Sequence, residues 1–454
     1  MSPVVWGIAG YVALNLAVGF FASRRVASEE DFFVAGRRLG YPIAIFSIFA
    51  TWFGAETCVG AAGSVHAGGV FSSPADPFGY SLCLLVMGVF FARLLWARKM
   101  TTLGDLFRER FSPRVEKLAV LLMVPSSLLW GAAQIRAFGQ VLSVASGITS
   151  VTAITIAAVV AVVYTGFGGL LADAATDFVQ GVVLIIGLVI LGGVVVSHLG
   201  GVGPALAAIE PGRLSPFPSE LSGWKIAESW VTPVLGSVFA QEVVSRIIAC
   251  RSPQVARRST LAAAGIYLSV GSIPIFIGLL GPQLAPGLAD PEHLLPVVAQ
   301  KHLATVLYVV FIGAVVSAIL STVDSTLLVA ASLVAHNIAV PLSGKSSEAA
   351  KLAFARVSLV VMGVCTWALA LGGQSVAGLV EEASAFGGAG FFVVLVFGLH
   401  TQLGGPRTAA LGLVSGALSY VTGEHVFHVQ APFLLSFAVS GGVYLCGAWV
   451  GRKR

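Results

Sequence analysis

Four residues with oxygen-bearing side chains, Ser321, Thr322, Asp324 and Ser325, stand inside the apolar stretch FIGAVVSAILSTVDSTLLVAASLVAHNI at 311 to 338. Hydroxyls and a carboxylate in hydrocarbon surroundings are unfavourable unless they face an ion, a partner group or a water path. Ala318 and Thr322 are four apart and Ser321 is three from Ala318, so on a helix they share one face. Oxygen donors gathered this way suit a hard cation; the alternative is that each hydroxyl bonds back to a carbonyl of its own helix. Other polar groups are similarly misplaced. Thr51, Glu56 and Thr57 lie among Gly54, Gly60 and Gly63, and Gln241 and Glu242 follow Pro233, Gly236 and Ser237. Arg136 sits beside Gln134 in another apolar run, where a guanidinium requires a carboxylate: Glu56 or Glu242 as a structural partner, or the carboxylate of a substrate.

The elements that carry these groups are set by composition. The chain has 454 residues, 57% hydrophobic and 10% charged, whereas soluble domains carry about 25% charged residues. It is a polytopic membrane protein. Apolar runs of about 20 residues fall near 3 to 23, 41 to 62, 78 to 97, 117 to 145, 149 to 167, 176 to 197, 230 to 249, 259 to 280, 306 to 333, 353 to 373, 377 to 399, 408 to 423 and 432 to 451, which predicts about 13 transmembrane helices. The runs are continuous and do not alternate, which argues against a β-barrel.

The first run has no basic flank before it and no small-residue cleavage site, and Arg24 and Arg25 follow it, so it reads as a retained helix. Lys and Arg concentrate in alternate connections: Arg37 and Arg38; Arg98 to Lys117; Arg246 to Arg258; Lys345 to Arg356; Arg407; and Arg452 to Arg454. The positive-inside rule then predicts the N-terminus outside and the C-terminus cytoplasmic, in a cell membrane. The net charge of +5 is explained by this topology, so no nucleic-acid partner is implied. The outside segments 198 to 229 and 281 to 302 are rich in Pro and Gly and long enough to form short helices or a lid.

Enzyme chemistry is not indicated. The eight histidines fall mostly at run ends, with no HExxH or GxSxG, and the five cysteines sit in or beside apolar runs without a CxxC. Glu424, His425 and His428 are a weak metal constellation in an outside connection. A channel would require a filter or ring, and no soluble signalling module follows the last run.

Four segments resemble those of the sodium:solute symporter family, in the family's order: DFFVAGRRLG at 31 to 40, TLGDLFRERF at 102 to 111, YTGFGGLLADAATDFVQG at 164 to 181 and SAILSTVDSTLL at 317 to 328. Within it, FATWFG at 49 to 54, FGYSL at 78 to 82, LPVVAQ at 295 to 300 and AHNI at 335 to 338 resemble the high-affinity choline transporter branch. The resemblance implies an all-α, LeuT-type fold of two five-helix repeats with opposite topology. Its expected divisions are a first helix and cytoplasmic loop at 1–40, a first repeat at 41–197, an outside segment at 198–229, a second repeat at 230–399 and two peripheral helices at 400–454. In such carriers the first helix of each repeat is broken, freeing backbone groups at the membrane midplane.

The same resemblance implies sodium-driven import of a small organic solute. It assigns a sodium site to the carbonyls of Ala50, Phe53 and Ala318 and the side chains of Ser321 and Thr322, and a possible second sodium site to Asp177, Asp324 and Ser325. Trp52, Tyr80 and Trp130 match aromatic positions of the branch's quaternary-ammonium cage, with Ala240 and Val380 where two further tryptophans are expected. Together with Glu56, Thr57, Gln134, Arg136, Gln241 and Glu242 they form the expected substrate set, for a choline- or betaine-like solute or a zwitterionic amino acid. Two alternatives stay open: a proton-coupled carrier using Asp324 or Glu56, and a non-transporting sensor with a carrier fold.

Overall fold

The computed structural model describes residues 28–452 apart from 345, 346, 373 and 374, together with residues 6, 7, 10, 13 and 17. Most of the expected first span, and Arg24 and Arg25 after it, lie outside the described residues. Everything long and regular is helical, as a chain must be where no water is present to satisfy backbone groups.

The expected span at 41 to 62 is not one helix. It divides into α1, Tyr41–Ala50, and α2, 56–68, joined by a turn at 51–54. Glycine permits this: a Cβ on Gly54 would stand 3.1 Å from the Thr322 hydroxyl and 3.2 Å from the Ala318 carbonyl. Then follow α3 (Ala75–Ala97), the short amphipathic α4 (Leu103–Arg110) and α5 (Pro113–Ser146). Residues Ser150–His198 form a single helical run, yet the hydroxyls of Tyr164 and Thr176 are 3.2 Å apart. Twelve residues of straight helix would span about 18 Å, so the run turns back sharply, giving α6 (Ser150–Gly166) and α7 (Asp173–His198).

The second broken helix has the same plan. A helical piece at 223–236, α8, widens into a π-helical turn at 232–236, around Pro233, and ends before a non-helical step at 238–240, after which α9 covers Gln241–Ile248. The remaining helices are α10 (Pro253–Leu279), α11 (Leu294–His302), α12 (Thr305–Ser343), α13 (Glu348–Ala370), α14 (Val376–Gly388), α15 (Phe391–His400), α16 (Pro406–His425) and α17 (Pro432–Arg452). A 44° bend separates α14 from α15. Gly390 makes it at φ +82°, in a left-handed conformation that suits glycine, with its α-carbon backed against the α16 carbonyls of Gly412 and Leu413.

Among the described residues, eight helices are long and apolar enough to cross a membrane, or nine if the bent pair is one span. The expected count of 13 is thus not reproduced: the first span lies mostly outside the described residues, the 41 to 62 and 149 to 167 spans appear as shorter apolar helices, α1 and α6, and the 408 to 423 span, α16, is helical but not among the nine. The core sits on α12, 78% of whose apolar window is buried against α5, α7 and α13, whereas α17 is only 28% buried and lies at the periphery. Exposed Val159, Val361 and Leu418 are in their preferred state, since lipid tails solvate them.

Both long connections carry short helices. Arg213, from the 198–229 segment, donates to the carbonyls of Val65 and His66 at 2.6 and 2.7 Å, satisfying the open C-terminal end of α2. At the opposite end, α4 docks on the terminus of α12 through polar contacts: Thr102 donates to Asn337 at 2.9 Å and Asn337 to Glu116 at 2.8 Å.

Candidate functional site

The break between α1 and α2 faces the polar stripe of α12. The Thr322 hydroxyl lies 3.1 Å from the Ala50 carbonyl and 3.1 Å from that of Ala318, and donates toward both. Ser321, one residue earlier, donates to the carboxylate of Asp177 on α7, whose other oxygen accepts from Ser47 of α1 at 2.7 Å. Phe53 is within the broken segment, its ring against Tyr267 and Phe49. Of the five expected sodium ligands, Ala50, Ala318 and Thr322 meet directly and Ser321 adjoins them. The arrangement offers backbone and hydroxyl oxygens from two elements that belong to different halves of the chain, the donor set a hard monovalent ion accepts.

Behind it lies a cluster that the sequence suggested only in part. Asp177 and Asp324 are fully buried and are joined by Asp173. Arg246, counted above among the loop cations, is itself fully buried: it pairs with Asp173, donates to Ser325 and stands 4.0 Å from Asp177. Positive-inside counting failed for Arg246 because hydropathy cannot distinguish a helix end from a buried pair. Ser325 also donates to Asp173, at 3.0 Å. Asp324 is buried between Asp173 and Thr165, both of which interact with its carboxyl. Three carboxyls therefore share one guanidinium, and the surroundings of Asp324 are suited to receive a cation or a proton.

On the other face of the break are the rings. Trp52, Tyr80 and Trp130 form a closed group with centroid separations of 5.2, 5.7 and 5.8 Å. Glu56 is buried beside them; one oxygen accepts from Gln134 at 2.7 Å and the Trp130 indole N–H interacts with the same carboxyl, while the indole nitrogen of Trp52 is buried without a partner. Thr57 points away, donating to Asp76 at 2.9 Å, and Tyr267 donates to the same carboxylate at 3.0 Å. Ser384 of α14 links Tyr80 to Ser237 at 3.1 and 3.0 Å, so the second broken helix packs on the ring group. Tyr80, Glu56 and Val380 line a chamber on one side of the rings, Trp130 and Ala240 a cavity on the other, and Ser384 lines both; Val380 and Ala240 are each small where a further ring was expected.

Arg136 is not paired with Glu56 or Glu242. Its Nε lies 3.6 Å from Glu292, on the segment before α11, and Glu292 also accepts the amide of Val376 at 2.5 Å. Burial raises the pKa of Glu292, with the Val376 amide and Arg136 opposing that shift. Gln241 accepts from the amide of Leu103, at the start of α4, at 2.7 Å, whereas Glu242 accepts from Ser127 of α5, one turn from Trp130, at 3.0 Å; both line a cavity that also reaches Trp130 and Ser384.

Asp76, Asp173, Tyr267, Ser384 and Glu292 are site residues the sequence reading missed. Asp76 and Glu292 lie just outside the apolar runs, and Asp173 falls between the runs at 149 to 167 and 176 to 197. A count of acids near apolar runs would have flagged all three.

Comparison with known proteins agrees with this geometry. The family model described as Sodium:solute symporter family matches residues 32–416. The human "High affinity choline transporter 1" is 28% identical over 449 residues, covering 93% of this chain and 77% of that protein. A Staphylococcus aureus "Sodium/proline symporter" is 27% identical over 442 residues, covering 90% and 84%. Among solved structures, a Na+-coupled sialic acid symporter in a substrate-bound outward-open state superposes with a TM-score of 0.85 at 19% identity, covering 99% of this chain and 97% of that one. The structural likeness establishes the LeuT-type fold, and with the family match over most of its length, the chain belongs to the sodium:solute symporter family.

Proposed function

We propose that this sodium-coupled symporter imports a small quaternary-ammonium cation of the choline type by alternating access. The observation that carries the reading is the ring group of Trp52, Tyr80 and Trp130 beside the buried carboxyl of Glu56. Ring faces and a carboxyl attract a cation without demanding that it donate hydrogen bonds. Arg136 is paired with Glu292, which disfavours the zwitterionic amino acid whose carboxylate would need it. Similarity to choline transporters of several animals supports the same class.

In this reading sodium binds at Ala50, Phe53, Ala318, Ser321 and Thr322, and a second cation at Asp177, Asp324 and Ser325, where the three buried carboxyls of Asp173, Asp177 and Asp324 around the single cation Arg246 support it. Sodium at the α1–α2 break holds that break against α12 and so raises affinity for solute in the adjoining chamber; reciprocity requires the solute to raise sodium affinity equally. The repeats would be 41–197 and 230–399, flanked by 1–40 and 400–454, with 198–229 as an outer segment, the N-terminus outside and the C-terminus in the cytoplasm.

The test is thermal stabilisation of the purified protein by choline, betaine, amino acids, sugars and carboxylates, in Na+ and in K+, since a ligand that binds only the native state raises its stability. A sodium-dependent shift with choline is expected. A shift with amino acids alone would overturn the substrate class; indifference to Na+ would favour proton coupling through Asp324 or Glu56, and binding without uptake in proteoliposomes a sensor.

A further inference from the structure

Beyond the ring chamber, at the end carrying the 198–229 segment, a wider cavity opens. Its wall holds Glu220, Glu228, Glu381, Glu382 and Glu424, with Lys225 the one lysine or arginine among the described residues lining it. Three of these acids are engaged: Glu220 accepts from Ser219 at 3.2 Å, Glu228 accepts the amides of Phe433 and Leu434 at 2.6 and 3.0 Å, and Glu382 stands 3.7 Å from His425. Glu381 has Glu424 and Lys225 as its charged neighbours. It occupies the junction: Glu381, Ser229 and Thr232 line both this cavity and the chamber that holds Glu56 and Tyr80. Thr232 is 3% exposed, and its hydroxyl, on the wall of both spaces, has no partner. An unbonded buried hydroxyl is unfavourable, and a solute hydroxyl or carried water at this point restores the bond.

We propose that Glu381, Thr232 and Ser229 form an outer subsite where an organic cation pauses before entering the ring chamber. The inference rests on the reading of that chamber as a cation site. A concave wall of one charge sign raises the local concentration of opposite charges and their rate of arrival. No three His, Cys, Asp or Glu side chains among the described residues gather closely enough to hold a metal ion, which favours a diffuse organic cation as the occupant.

Two measurements test it. In the full-length chain with Ser229→Cys, labelling by a trimethylammonium-bearing methanethiosulfonate should outpace labelling by a neutral analogue of similar size about tenfold, and Glu381→Gln should remove that preference while Glu381→Asp keeps it. An unchanged preference in Glu381→Gln overturns the subsite, whichever solute is carried. In proteoliposomes, Glu381→Gln should lower choline uptake at low concentration about tenfold more than at saturation, and Thr232→Val should act in the same direction. If the labelling preference depends on Glu381 but wild-type protein neither binds nor carries choline, the subsite stands and the reading of the ring chamber fails. Equal losses at low and saturating choline would overturn a role in capture.

Discussion

The hydroxyl of Thr322 on α12 donates to the carbonyl of Ala50, 272 residues earlier, where α1 breaks. This contact joins the two halves of the chain at the point where backbone oxygens are released, so it should sense sodium directly. Thr322→Ala and Ser321→Ala should each raise the sodium concentration for half-maximal uptake at least tenfold, about 1.4 kcal/mol, with membrane abundance within about twofold of wild type. Thr322→Ser, which keeps the oxygen, should remain near wild type. Sodium activation curves in proteoliposomes check this; unchanged curves for both alanine variants would remove the assignment.

Replacing one ring face should weaken solute without disturbing sodium. Trp130→Ala is expected to raise KM for a quaternary-ammonium solute by roughly tenfold or more, in line with about 2 kcal/mol for a desolvated cation–π contact. Trp130→Phe should recover part of the loss. Glu56→Gln should weaken a cation more than a zwitterion, which a side-by-side competition assay would show.

Arg136 offers a discriminating case because its partner is Glu292. Arg136→Ala should lower the melting temperature and leave KM for a cation close to wild type. A large KM increase with little loss of stability would return Arg136 to the substrate site.

The fully buried pair of Arg246 and Asp173 should behave as buried pairs do: removing one partner is expected to cost about 3–5 kcal/mol, because the other is stranded. Arg246→Gln should therefore be the more damaging single change, because it strands Asp173, Asp177 and Asp324 together, whereas Asp173→Asn leaves Arg246 beside Asp177. Fluorescence-detected size exclusion after heating would rank them. An Asp173→Asn variant less stable than Arg246→Gln would contradict the sharing of one guanidinium.

At the far end, Asp105 of α4 lies outside the spans. Burial works against its carboxylate, but the hydrogen bond and charge of His336 and the amides of Thr102 and Thr101 outweigh it and hold the pKa below the ordinary value. A lowered acid stabilises the fold above its unfolded-state pKa, and that contribution is lost as pH falls through the folded value. Asp105→Asn should thus destabilise by roughly 1–3 kcal/mol at neutral pH. The gap to wild type should begin to close below about pH 4, the ordinary carboxylate range, as melting curves across pH would show.

Composition and spacing alone determined the class, the approximate spans and the polar face of Ala318, Ser321 and Thr322, because each follows from local rules: an apolar run of bilayer length must be helical, and residues three or four apart share a face. Glycine and proline likewise marked where helices would break. Pairing was another matter. Whether Arg136 met Glu56, Glu242 or Glu292, and whether Arg246 was a loop cation or the partner of Asp173, could not be read from hydropathy, since partners 156 and 73 residues away are chosen by how helices pack. The same holds for Asp76, Glu292 and Ser384, which lie at run ends or among small residues and acquire a site role only when helices from both halves close around them. Tertiary structure decides these cases because a buried charge is tolerated only beside a specific partner, and that partner is supplied by the fold.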